Sequence, residues 1–123
     1  MNLSDAIIHG NIKKVKELIE NGDDINQSYN YGWTPLLIAS LNGYLDVVTY
    51  LHGQGADINQ PNNDGVTPLF IASAMGHLDV VTYLHGQGVD INKAANDGAT
   101  PLYIASQQGK LDVVKYLKKK GAK

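Results

Sequence analysis

The 123-residue sequence contains no cysteine and no arginine. Without cysteine there is no disulfide framework, thiolate metal site, redox pair or cysteine nucleophile, and nothing ties the chain to an oxidising compartment. Without arginine the bidentate donors normally used to read nucleic acid are missing, and a formal charge of −2 supplies no broad positive field. Nucleic acid is not expected as a partner. Long hydrophobic runs are absent too: no stretch approaches the roughly 18 apolar residues of a membrane span, and Met1 to Gly10 lacks the basic start and apolar core of a secretion signal. A soluble, cytoplasmic or otherwise intracellular protein without a membrane partner is therefore expected.

What is present is a repeat. Shifting the chain by 33 residues aligns Thr34-Pro35-Leu36, Thr67-Pro68-Leu69 and Thr100-Pro101-Leu102, each followed after one residue by Ile-Ala-Ser. Gly10, Gly43, Gly76 and Gly109 keep the same step, so the N-terminal segment belongs to the array as well. Residues 34–66 and 67–99 share 24 of 33 positions, and a fixed period of this length indicates a stack of supersecondary units.

Each unit carries its own start and stop signals. The hydroxyl of Thr34 can cap a helix, with Pro35 at the first helical position, where a missing N–H costs nothing. Gly43 suits the left-handed turn that ends it. A second helix is predicted from about Tyr44 to Asp46, with Asp46 in its first turn and Val47, Val48 and Leu51 forming one apolar stripe. Its end, His52-Gly53-Gln54, contains a glycine that costs about 1 kcal/mol relative to alanine in a helix, so fraying is expected there. The stretch Ile58-Asn59 to Asp64-Gly65 is polar and turn-rich, and reads as a projecting hairpin-like loop.

These residues resemble the ankyrin repeat family. The period, the two helices and a turn, and the T-P-L-x-x-A core match its pattern, and Gly55-Ala56-Asp57-Ile58-Asn59 is similar to its G-A-D-hydrophobic-N loop. The resemblance implies an all-α solenoid of four stacked helix-turn-helix pairs in one domain: a cap at 1–28, repeats at 29–61 and 62–94, and an incomplete last repeat or cap at 95–123. The family's usual His after T-P-L is replaced by Leu37, Phe70 and Tyr103, which removes inter-repeat hydrogen bonding through that imidazole. The resemblance also implies a non-catalytic module that binds another protein on a concave face formed by the loops and first helices.

The nine differences between residues 34–66 and 67–99 fall mainly on that face. Along lines of i, i+4 neighbours the chain carries Trp33-Leu37-Leu41, Val66-Phe70-Ala74 and Ala99-Tyr103-Gln107. Tyrosine and tryptophan give large contact area for little rotamer entropy, so Tyr29, Tyr31 and Trp33 are the first-choice anchor. The candidate partner-binding set is Tyr29, Tyr31, Trp33, Leu37, Val66, Phe70, Met75 and Tyr103. Packing between repeats is the alternative for Leu37, Phe70 and Tyr103, and packing within the chain is the alternative for Tyr29, Tyr31 and Trp33. The lysines of the last unit, Lys110, Lys115, Lys118, Lys119, Lys120 and Lys123, read as the polar outer face of a terminal cap.

No catalytic, metal or cofactor site is expected. His52 and His85 are one repeat apart, farther than metal–nitrogen bonds of about 2 Å can bridge, and read as exposed surface groups. Asp57 and Asp90 are repeated loop carboxylates, and Ser40, Ser73 and Ser106 read as small helix-packing residues. Asn26 shares its register with Asn59 and Asn92, which points to a structural loop role. Two alternatives to partner binding stay open: a structural or engineered scaffold with no dedicated ligand, suggested by the near-identical repeats, and self-association through the apolar surface.

Overall fold

The structure, a computed structural model, describes residues 1–123. Eight helices form four antiparallel pairs: α1 (Leu3–Ile8) with α2 (Ile12–Glu20), α3 (Pro35–Asn42) with α4 (Leu45–Gly53), α5 (Pro68–Met75) with α6 (Leu78–Gly86), and α7 (Pro101–Gln107) with α8 (Leu111–Lys119). A tight turn at Asn30–Gly32, with Tyr31 in left-handed backbone at φ 61°, lies in the first connecting segment, and no strand forms.

The starts and stops follow from the residues expected to set them. The Thr34, Thr67 and Thr100 hydroxyls accept the amides of Leu37, Phe70 and Tyr103 at 3.2, 3.2 and 3.1 Å, each with proline at the helix start. Gly43 and Gly76 close α3 and α5 with φ of 74° and 76°. Fraying at the second-helix ends is not observed: α4 runs through Gly53, and the Gln54 amide still bonds the Tyr50 carbonyl at 3.0 Å.

A continuous core of 21 buried side chains runs along the stack. Val47, Val48, Leu51, Val80, Val81 and Leu84 are all fully buried, as the stripe on the second helices requires. Ala39, Ser40, Ala72, Ser73 and Ala105 are also sealed, and their small side chains let first helices approach one another closely. Successive first helices pack along much of their length, whereas successive second helices touch sparsely. The stack therefore bends toward the first-helix side, which is concave.

Neighbouring repeats are also tied by polar bonds. The Tyr44 hydroxyl donates to the Ile8 carbonyl at 3.1 Å, and Nε2 of His77 donates to the Leu41 carbonyl at 2.9 Å. Both bonds satisfy carbonyls at helix C-termini, which have no partner inside their own helix. Lower in the loops, Oδ1 of Asn26 accepts the Asp57 amide at 3.1 Å, and Oδ1 of Asn92 accepts the Lys123 amide at 2.9 Å. Loss of the family's histidine is thus offset by other inter-repeat contacts.

Candidate functional site

The three connecting segments end in closed tips on the concave side. Each tip is closed by two backbone bonds: an outer one from Tyr29 to the Trp33 carbonyl at 2.7 Å, Asn62 to Val66 at 3.0 Å and Ala95 to Ala99 at 2.8 Å, and an inner one from Gly32 to the Tyr29 carbonyl at 3.1 Å, Gly65 to Asn62 at 3.0 Å and Gly98 to Ala95 at 2.9 Å. Consecutive tips are then joined, the Asn63 amide donating to the Tyr31 carbonyl and the Asn96 amide to the Asp64 carbonyl, both at 2.9 Å. The tips are hairpin-like only in this limited sense, since one bond between neighbours does not make a sheet. Such mutual bonding fixes the side chains on the tips relative to one another.

The eight candidate residues divide under this geometry. Leu37, Phe70 and Tyr103 share a register, yet they are 0, 8 and 56% exposed. Leu37 is therefore corrected to a packing residue and Phe70 to a mostly packed one that shows only an edge, at the groove between the second and third tips, while Tyr103 on α7 has no following helix pair beside it. Tyr31 is 77% exposed and stands at the first tip, whereas Trp33 and Val66 are half-buried at the roots of their tips. Met75, 46% exposed, lies at the far end of α5, roughly 10 Å from the helix start given 1.5 Å per residue. It is not part of the tip cluster.

Tyr29 is half-buried, and its hydroxyl is enclosed with no hydrogen-bond partner. Burial, with a smaller contribution from the Asp23 carboxylate, raises its pKa from 10.0 to about 12. The folded chain keeps this proton at pH values where the unfolded chain has released it. The stability contributed by the neutral phenol is thus complete below pH 10 and lost as pH rises toward 12. Tyr29→Phe removes both the orphaned hydroxyl and the titration, so urea unfolding at pH 8 should show stabilisation of about 1 kcal/mol. At pH 11 the variant's advantage should be larger, and an advantage that shrinks would mean the phenol ionises freely in the fold.

Sequence reasoning missed two features. His52 and His85 are not free surface groups: Tyr83 Oη lies 2.7 Å from Nδ1 of His52, and Tyr116 Oη lies 2.9 Å from Nδ1 of His85, with the rings edge-on at 5.8 Å in both pairs. The second is a groove of about 390 Å³ between the second and third tips, with Val66, Phe70 and Ile104 as its apolar walls and Asp64 and Asp97 at its rim. A hollow of about 320 Å³ adjoins it through Asp97 and reaches Tyr103. Between residues 34–66 and 67–99 His52 matches His85, Tyr50 matches Tyr83 and Asp64 matches Asp97, so comparing those units for differences passed over them.

The arrangement offers surfaces for contact. No three His, Asp or Glu side chains converge as a metal would need, and no helix is long and apolar enough to cross a membrane. Charge is sorted instead. The connecting segments 21–33, 54–66 and 87–99 carry six aspartates and one lysine, Lys93, while the other nine lysines lie on α2, α8 and the segments flanking α8. The one ion pair, Lys14–Glu17 at 3.2 Å, is within α2, so none of the loop aspartates is neutralised by a lysine.

Comparison with known proteins places this architecture. The chain is 46% identical over 48 residues to human protein phosphatase 1 regulatory subunit 27, covering 39% of this chain and 31% of that protein. It is 41% identical over 48 residues to the zebrafish (Danio rerio) Notch-regulated ankyrin repeat-containing protein A, covering 39% of this chain and 43% of that one. Over 45 residues it is 38% identical to mouse ankyrin repeat, SAM and basic leucine zipper domain-containing protein 1, covering 37% and 10%. These matches span less than half the length of each relative. The family model for ankyrin repeats in three copies matches residues 3–95 and 52–123, which together take in nearly the whole sequence. With its repeat period, capped helix pairs and bonded tips already established, the chain belongs to the ankyrin-repeat family, whose members are in general non-catalytic protein-interaction modules.

Proposed function

We propose that this chain is a non-catalytic module that binds a partner protein on its concave side, through the tips and the first-helix face. The carrying observation is that Tyr31 and Tyr103 are exposed on a face whose backbone is otherwise locked by repeat-to-repeat bonds. A pre-ordered face loses little conformational entropy on binding, and exposed tyrosines are effective anchors. Tyr31, Trp33, Val66 and Tyr103 form the proposed contact set, with Met75 at the far end of the same face. The similarity to human protein phosphatase 1 regulatory subunit 27 fits a protein that acts by binding.

Tyr31→Ala with Tyr103→Ala should weaken binding of a purified partner about tenfold or more, which is about 1.4 kcal/mol, while the thermal midpoint stays within a few degrees. Equal loss of binding and of stability would place these tyrosines in the core and end the proposal. Nucleic acid is a poor fit, because six loop aspartates repel a phosphate backbone. Self-association is the other reading, favoured by Leu111, which is exposed at the start of α8. Sedimentation at two protein concentrations separates the two.

A further inference from the structure

From the groove between the second and third tips we infer the chemistry of the partner: an extended segment carrying a lysine or arginine next to an apolar side chain. The inference rests on the concave side being the binding face. The groove has an apolar floor, Val66, Phe70 and Ile104, and a rim bearing two carboxylates, Asp64 and Asp97. The bond from the Asn96 amide to the Asp64 carbonyl ties the two tips together, and Asp64 and Asp97 both line the groove between them. Neither has a lysine partner.

Apolar walls under a negative rim suit a long cationic side chain, whose methylene stem lies along the walls while its charged head stays at the wet edge. An acidic side chain would be repelled there, and an uncharged one would leave both carboxylates uncompensated. Between the first and second tips Tyr31 and Trp33 stand in place of Asp64 and Val66, so the matching position carries one carboxylate, Asp64, instead of two. The cationic side chain is therefore assigned to this one groove, and Tyr103, reached through the adjoining hollow, to the neighbouring apolar residue of the segment.

The test is selection of random short peptides displayed on phage against the full chain at about 0.01 M ionic strength, where the screening length is about 30 Å. Enriched peptides should carry Lys or Arg beside an apolar residue. They should bind Asp64→Asn with Asp97→Asn about three- to tenfold less tightly than the wild type, with the difference vanishing near 1 M salt. Asparagine keeps the Oδ1 atom that in Asp97 accepts the Ala99 amide at 2.9 Å, so the fold is retained. Enriched peptides that are acidic or uncharged, or cationic ones indifferent to the asparagine pair, overturn the inference. The binding face itself survives that result if the same peptides are weakened by Tyr31→Ala with Tyr103→Ala. Peptides insensitive to both variants, or failure to enrich any, overturn both readings. Dimerisation at low salt that the asparagine pair abolishes would seat the α8 lysines of a second copy in the groove and overturn the assignment to a foreign segment.

Discussion

Leu37→Ala should destabilise the chain by about 2–5 kcal/mol and Phe70→Ala by about 3–5 kcal/mol, whereas Tyr103→Ala should stay within about 0.5 kcal/mol. The three residues occupy one register, each the third residue of its helix, and each amide is held by the capping threonine. Local structure is thus the same, and what differs is cover. Leu37 on α3 is enclosed by the α5 pair that follows, Phe70 on α5 by the α7 pair, and Tyr103 by nothing comparable. Truncating a sealed side chain loses its transfer free energy and leaves a cavity, and neither cost arises for a side chain already in water. Stability in a solenoid is approximately a sum of repeat and interface contributions, so the loss at Leu37 falls on the contact between neighbouring pairs. Chemical denaturation of the three variants is the measurement. Near-equal losses would mean that Tyr103 is covered in solution, and a small loss at Leu37 would mean that the stack opens there.

The fold was legible because its signals repeat. Thr34-Pro35 and Gly43 each specify a local event, a capped start and a left-handed stop, that depends on few residues outside the unit. The second-helix stripe of Val47, Val48 and Leu51 likewise needs only helical spacing to be read. Which candidate contacts are free was legible only in part. Leu37 and Tyr103 look alike in sequence, and their opposite exposures depend on the following repeat, which spacing alone does not measure. Comparing residues 34–66 with 67–99 found Val66, and Tyr31 and Trp33 stood out as loop aromatics, but neither signal marks Asp64 and Asp97, which match each other. The His52–Tyr83 pair was hidden for the same reason: its partners are 31 residues apart, and each reads alone as an ordinary surface group.

Gly43→Ala should cost about 2–3 kcal/mol, about 1 kcal/mol more than Gly76→Ala at the same position one repeat later. Both glycines have positive φ, 74° and 76°, so an alanine at either meets the left-handed backbone penalty of about 1–2 kcal/mol. Surroundings make the rest of the difference. A Cβ on Gly43 would come within 2.6 Å of Cε1 and 2.7 Å of Cγ in the His77 ring, whereas one on Gly76 would meet Cδ of Lys110 at 2.8 Å. The lysine methylene can swing into solvent. The imidazole cannot move without giving up the 2.9 Å bond from Nε2 to the Leu41 carbonyl, a net loss of about 0.5–1.5 kcal/mol that also strands a helix C-terminal carbonyl. A double-mutant cycle isolates this contribution. In a His77→Ala background the clash is gone, and Gly43→Ala should cost only the backbone penalty, close to that of Gly76→Ala. Equal costs of Gly43→Ala in the two backgrounds would show that the ring yields freely and that its bond to Leu41 adds little to the seam between α3 and α6.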